Sequence, residues 1–177
     1  MADKTVDFFV ELINECKAKK GERSSRFIYN ADIEHAKVAV EALFNVAIED
    51  EKDVYIVSDT LRKDFYSDPR LVAKVKTLLN NQHNVEIIVL DPEADLTKHV
   101  FAKVVRENEK YGKIFLGDQK HSAPHFTLVG DSAFRLETDH NQTKATICFN
   151  NKSIGSCLLA EFNRLKKVFP PEPVANN

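Results

Sequence analysis

His125-Phe-Thr-Leu-Val-Gly-Asp-Ser-Ala-Phe-Arg-Leu-Glu137 reads as two short strands joined at Gly130-Asp131. Side chains alternate along a strand, so Phe126, Leu128, Phe134 and Leu136 point to one face, and His125, Thr127, Arg135 and Glu137 to the other. The first face is apolar throughout. The second gathers groups that can hold an anion or move a proton, and any site in this chain is expected there.

The surroundings of this hairpin supply its context. Upstream, Val54-Tyr-Ile-Val57 is a continuous apolar run, the pattern of a strand covered on both faces in a parallel sheet, and Val85-Glu-Ile-Ile-Val-Leu90 reads as a second strand. Asp32 is placed to cap a helix reaching about Glu49, with Ile33, Ala36, Val40, Leu43, Phe44 and Ala47 as its stripe. Asp68-Pro69 opens a second helix, whose buried side is Leu71, Val72, Val75, Leu78 and Leu79. Thr97 to Tyr111 is helical by pattern, and Lys113-Ile-Phe-Leu116 is a third short strand. After the hairpin, Thr143 to Phe149 alternates as a strand, with Ala145 and Ile147 toward the core and Lys144 and Thr146 away. A last amphipathic helix runs from about Lys152 to Phe169 and stops at Pro170-Pro171.

Helices alternating with strands across short connections predict an α/β fold. The expected sheet is mixed, of about six strands, parallel and then antiparallel, with helices on both faces. The expected division is an N-terminal helix and polar connector over 1–26, the α/β domain over 27–169, and a disordered tail over 170–177. The connector Gly21-Glu-Arg-Ser-Ser-Arg26 reads as a solvated loop, although two arginines beside hydroxyls can also hold phosphate.

Length and composition bound the function. At 177 residues the chain can bury one real core without disulfides or metal. A formal charge of −2 argues against a strongly basic DNA-coating protein and leaves room for a local basic patch. Cys16, Cys148 and Cys157 are odd in number and widely spaced, which points to free thiols in a reducing compartment. No apolar run approaches the ~20 residues needed to cross a bilayer, so a cytoplasmic protein without membrane attachment is expected. With only five glycines there is no phosphate loop, and neither a G-x-S-x-G elbow nor zinc-ligand spacing occurs. No cofactor or metal is implied.

The polar face is expected to extend to Lys144 and Thr146 on the following strand, and to Asp139 and His140 in the adjoining turn. A histidine beside arginine and lysine suits phosphate, because the cations hold the anion while the imidazole attacks or transfers a proton. The same pattern also describes a solvated sheet face whose cross-strand ion pairs contribute only ~0.2–1 kcal/mol each. Periodicity leaves both readings open. Ser58-Asp59-Thr60, at the end of a strand, is a further candidate for a cleft lining. His35, His83 and His99 read as surface residues, and His121 as a group that could reach His125.

From Asp32 to Phe169 the order of elements resembles one half of the phospholipase D-like superfamily. A strand opened by a histidine follows two earlier strands, and a closing strand and helix are introduced by Phe149-Asn-Asn151. That family's signature is His-x-Lys with an Asp five residues beyond the lysine. Laid on His125, it places Thr127 at the lysine and Ser132 at the aspartate, with Asp131 one place early. Asp139, His140 and Asn141 occupy the neighbourhood of its later Gly-Ser and Asn.

The resemblance implies a phosphodiester site centred on a histidine, assembled from two halves or from a homodimer. The resemblance gives His125 the nucleophile's place; taken with the polar face, the expected catalytic residues are His125 and Glu137, and the expected contacts to a phosphate-bearing ligand are Thr127, Arg135, Lys144, Asp139 and His140. A threonine cannot replace a cation at a developing phosphorane charge, so the resemblance implies a degenerate active site unless Arg135 or Lys144 substitutes. Three functions are therefore expected to compete. They are a binding domain for a phosphate-bearing ligand or nucleic acid, an active phosphodiesterase or nuclease, and a regulatory module whose polar face meets a protein partner.

Overall fold

The computed structural model describes residues 4–118, 121–139 and 144–172. Among them are seven strands and six α-helices. In chain order these are α1 (Lys4–Lys17), β1 (Ile28–Asn30), α2 (Ile33–Asp50), β2 (Val54–Ser58), α3 (Lys63–Tyr66), α4 (Pro69–Asn80) and β3 (Val85–Val89). There follow α5 (Val100–Arg106), β4 (Gly112–Leu116), β5 (Phe126–Val129), β6 (Ala133–Asp139), β7 (Lys144–Cys148) and α6 (Lys152–Val168). They build a single sheet in the order β1-β7-β6-β5-β2-β3-β4. β2, β3 and β4 are parallel; β5, β6, β7 and β1 are antiparallel. The α/β reading with helices on both faces holds, with one strand more than expected. β1 is only three residues long and pairs with β7, more than a hundred residues later, so no local pattern announces it.

The local chemistry of the helices follows the capping rules. Asp32 accepts from the His35 N–H at the start of α2, and Asp68 accepts from the Arg70 N–H ahead of Pro69 at the start of α4. Asn151 caps α6 through the Ile154 N–H. Gly155 on that helix lies against the β5–β6 turn, where a Cβ would stand 2.2 Å from the Asp131 carbonyl oxygen. Only glycine permits that approach, and it seats the hairpin turn on α6.

Two cores flank the sheet. On one face Val54, Ile56, Ile87, Val89 and Ile114 pack with α1, α2, α4 and α5. On the other Val57, Ile88, Phe126, Leu128 and Phe134 pack under Leu158, Phe162 and Leu165 of α6. α1 belongs to the first core through Phe9, Ile13 and Cys16. The connector behind it is fixed rather than solvated at Arg23, which is buried. Its guanidinium donates to Asp50 Oδ1 at 2.7 Å, to Glu49 Oε2 at 2.9 Å and to the Lys17 carbonyl at 2.6 Å. At the other end Pro170–Glu172 run along β4: Leu116 N–H donates to the Pro170 carbonyl and Glu172 N–H to the Ile114 carbonyl. Residues 173–177 of the expected tail lie outside the described residues.

Candidate functional site

Residues paired across neighbouring strands project to the same face. One such row runs Ile28, Ile147, Arg135, Thr127, Ile56, Ile87 and Ile114 across the whole sheet. Thr127 and Arg135 therefore sit in the middle of the larger core face, where all their row neighbours are isoleucines. They are 1% and 2% exposed. The expectation of an open polar face fails at these two positions because α3 roofs them. Its Phe65 ring lies 5.8 Å from the Arg135 guanidinium carbon, and its Tyr66 phenol turns toward Thr127.

The next row toward the C-terminal end of β2 holds the groups that remain within reach of solvent. The β5–β6 ladder continues one step, with Glu137 N–H donating to the His125 carbonyl. Across that step His125 Nδ1 lies 3.3 Å from Glu137 Oε2. Glu137 accepts at its other oxygen from Arg135 Nη1 at 2.7 Å, and Arg135 Nε donates to Asn30 Oδ1 at 3.2 Å. The result is a connected array, His125–Glu137–Arg135–Asn30, spanning β5, β6 and β1. The His125 and Glu137 side chains are 13% and 18% exposed, against 3% for Arg135. The array thus opens at its histidine end and closes at its arginine end.

The other assigned residues separate from this array. Ala145 pairs with Glu137 and Ile147 with Arg135, so Lys144 and Thr146 project to the opposite face of the sheet. Lys144 is exposed there. The alternation of β7 was legible, but it does not say which of two faces aligns with a neighbouring strand; the pairing register decides that. Asp139 lies beyond an irregularity in β6 and pairs with Lys144 along the backbone. The Asp139 side chain and His140 lie outside the described residues. His121 bonds Asp118 through Nδ1 at 2.7 Å and stands edge-on to Phe169, on the α6 side of the sheet. It is thereby turned away from the face that His125 shares with Arg135.

Several participants carried no sequence signal. Asn30 reaches the array only because β1 pairs with β7. Phe65 and Tyr66 come from a four-residue helix too short to show periodicity. Ser58, which sequence singled out, ends β2 and accepts from the Leu61 N–H at 3.2 Å. Leu61 has φ of 53°, a left-handed conformation that costs an L-residue about 1–2 kcal/mol. Next to it, Arg62 is 46% exposed and bonds Asp64 through two nitrogens, at 2.6 and 3.2 Å. It is near enough to Glu137 for their charges to interact. Hydrogen bonding to Asp64 raises the Arg62 pKa and lowers that of Asp64.

Burial is the main cause pushing the Tyr66 phenol up to about 12, and the nearby Glu137 charge adds to it. Its hydroxyl neighbours Thr127 closely enough to influence titration, yet Thr127 Oγ1 makes no full hydrogen bond. Chemically, a carboxylate on one imidazole nitrogen fixes the tautomer of His125. Among the described residues, the cation in line with the array, Arg135, is engaged by that same carboxylate.

No protein-family model and no curated protein sequence matches the chain. Its fold is similar to that of Nuc from Salmonella typhimurium, a phospholipase D family member, with a TM-score of 0.59 at 8% identity over 83% of this chain and 96% of that one. It is similar also to the phosphatidylserine synthase of Haemophilus influenzae, with a TM-score of 0.55 at 16% identity over 82% of this chain and 39% of that one. TrmBL2, an archaeal chromatin protein with a novel mode of DNA binding, gives a TM-score of 0.59 at 8% identity over 96% of this chain and 62% of that one. At these identities the likeness is one of fold.

Proposed function

From a fold of the phospholipase D-like type, we propose a domain that binds a phosphate-bearing ligand, nucleic acid among the candidates, at the His125 end of the sheet. Its hydrolytic machinery is degenerate. One observation carries the reading. Thr127 stands where the family places its lysine, and the cation directly across from it, Arg135, is buried and bonded to Glu137 and Asn30. A guanidinium held by a carboxylate neutralises that carboxylate, and so offers less stabilisation to a developing phosphorane. Binding draws on His125 at the mouth, and on Arg62 at its rim, where an exposed phosphate can displace Asp64 from the guanidinium. Two copies facing each other would supply two histidines to one phosphate, which makes a homodimer the expected form.

A second reading, a slow phosphodiesterase, is favoured by the contact of His125 Nδ1 with Glu137 at 3.3 Å. A carboxylate there leaves the other ring nitrogen as the nucleophile or base.

Three measurements test these readings. Light scattering on eluting protein reports the dimer, and a monomer at all concentrations would remove the shared site. Bis-p-nitrophenyl phosphate and single- and double-stranded DNA are offered to the wild type and to His125→Ala. Turnover lost in the variant would favour the enzyme; absent or unchanged turnover would exclude it. DNA anisotropy that falls steeply with salt and with Arg62→Ala supports binding. If no phosphate compound binds, the face is left to a protein partner.

A further inference from the structure

We infer that Ser58, His125 and Glu137 form a serine hydrolase row, in which Ser58 is the nucleophile toward the acyl group of a neutral carboxylic ester. His125 is its general base, and Glu137 is the positioning carboxylate. This activity goes beyond phosphate binding and shares with it only the His125–Glu137 pair.

The row follows from register. β2 and β5 pair antiparallel, with Ile56 opposite Thr127 and Val57 opposite Phe126, so the next step sets Ser58 opposite His125. Side chains alternate, and both residues therefore project to the face that carries Ile56 and Thr127. Hydrogen-bonded and open pairs also alternate along an antiparallel ladder. Gly130 N–H donates to the Asp53 carbonyl. The Asp53–Gly130 pair is thus a bonded one and, an odd number of steps on, the Ser58–His125 pair is open. Open pairs bring their side chains closest. On its other flank His125 meets Glu137, with Nδ1 3.3 Å from Oε2. The histidine stands between a carboxylate and a hydroxyl.

Each member is suited to its part. A carboxylate on Nδ1 holds the ring proton there and leaves Nε2 as the base. Glu137 is itself steadied at its other oxygen by Arg135, at 2.7 Å. The Ser58 hydroxyl accepts from the Leu61 N–H at 3.2 Å and donates to no group among the described residues. Ser58 ends a parallel strand, and a turn leads from it into α3. In that setting a serine nucleophile uses the following N–H as an oxyanion donor. The Asp59 and Thr60 N–H groups have no acceptor among the described residues. In the reaction, Ser58 Oγ bonds the ester carbonyl carbon as its proton passes to His125 Nε2, and the carbonyl electron pair moves onto oxygen. Collapse breaks the bond to the alcohol, which leaves with that proton. Water then gives a proton to His125 and its oxygen to the acyl carbon; Ser58 recovers the proton and the acid departs. Charge selects the substrate. Arg135 and Arg62 are both bonded to carboxylates, so an anion has to displace one of them. A neutral ester meets only backbone donors.

The test is a fluorophosphonate probe, which loses fluoride to an activated serine, applied to the full chain and followed by peptide mass spectrometry. An adduct on Ser58 is expected. Its formation should be about a hundredfold slower or more in His125→Ala, which removes the general base. Turnover of p-nitrophenyl acetate should fall alike. Ser58→Asn keeps an acceptor for the Leu61 N–H but has no nucleophile, so it should fold as the wild type and lose both adduct and turnover. A Ser58 that only caps the turn would leave turnover in that variant intact. Turnover unchanged in Ser58→Asn would overturn the proposal, as would an adduct on His125 in place of Ser58, or none on either. If the variants do not fold, the site of the wild-type adduct decides. DNA binding and cleavage of bis-p-nitrophenyl phosphate are read separately, so the phosphate reading and this one fail independently.

Discussion

Arg135 stands directly opposite Thr127 across the antiparallel β5–β6 pair, and its Nη1 reaches back along the same face to Glu137 at 2.7 Å. A cation thus stands in the same row as Thr127. The neighbouring carboxylate has made it part of the core. Removing one member of a largely buried ion pair strands the other, which typically costs several kcal/mol. Arg135→Met should accordingly destabilise the chain by about 3 kcal/mol in urea unfolding. Arg135→Met combined with Glu137→Leu should recover a large part of that loss. A double variant no more stable than Arg135→Met would mean that the pair is not the unit that matters.

Thr127 offers a test of the opposite sign. Its buried hydroxyl makes no full hydrogen bond, and an unsatisfied polar atom costs about 1–3 kcal/mol. Thr127→Val should leave the chain as stable or raise its thermal midpoint. Thr127→Lys, which sets a lysine two residues after His125, has to push a charge under Tyr66 and should lower stability without giving turnover.

Tyr66 should titrate late. Its phenol pKa is raised to about 12 by burial and by Glu137, above the ordinary value of 10. The folded state therefore favours the neutral phenol. The stabilisation this gives is complete below pH 10 and is lost as pH rises from there toward 12. Difference absorbance at 295 nm should show an ionisation step above pH 10 that is absent from Tyr66→Phe. Tyr66→Phe should make alkaline unfolding less steep. Ionisation of all tyrosines in one step near 10 would contradict the enclosed phenol.

The cysteines separate by accessibility. Cys16 and Cys148 are buried and Cys157 is exposed, and burial raises the Cys148 thiol pKa. An aromatic disulfide reagent should modify one thiol in the native chain at neutral pH, and all three in denaturant. Cys157→Ser should abolish the native reaction.

Much of the fold was open to a reader of the sequence, because period and caps are local. Val54 to Val57, Asp68-Pro69 and the His125–Glu137 hairpin all announce themselves within a few residues. The array around His125 was legible only in part. His125, Arg135 and Glu137 follow from alternation on one hairpin. Asn30 follows from nothing nearby, since a three-residue edge strand gains its meaning from a distant partner. Lys144 was placed on the wrong face because faces match through register rather than pattern. His99 and Tyr66 were hidden for another reason. Tyr66 covers the site from a helix of four residues and His99 lies buried at a helix start, where no periodicity exists to point either inward.

The strand order carries a consequence for synthesis. β2, β3 and β4 complete a parallel ribbon by residue 116, and Arg23 can already join α1 to α2 by then. The flank of β2 that later receives β5 is bare at that stage. β1 waits longer, because its only partner strand begins at residue 144. A chain leaving the ribosome must therefore carry an open sheet edge and an idle N-terminal strand through the making of roughly the last third of its length. The hairpin that brings His125 also closes that edge, so variants that slow its formation should show first as lost soluble yield during expression, before any loss of binding.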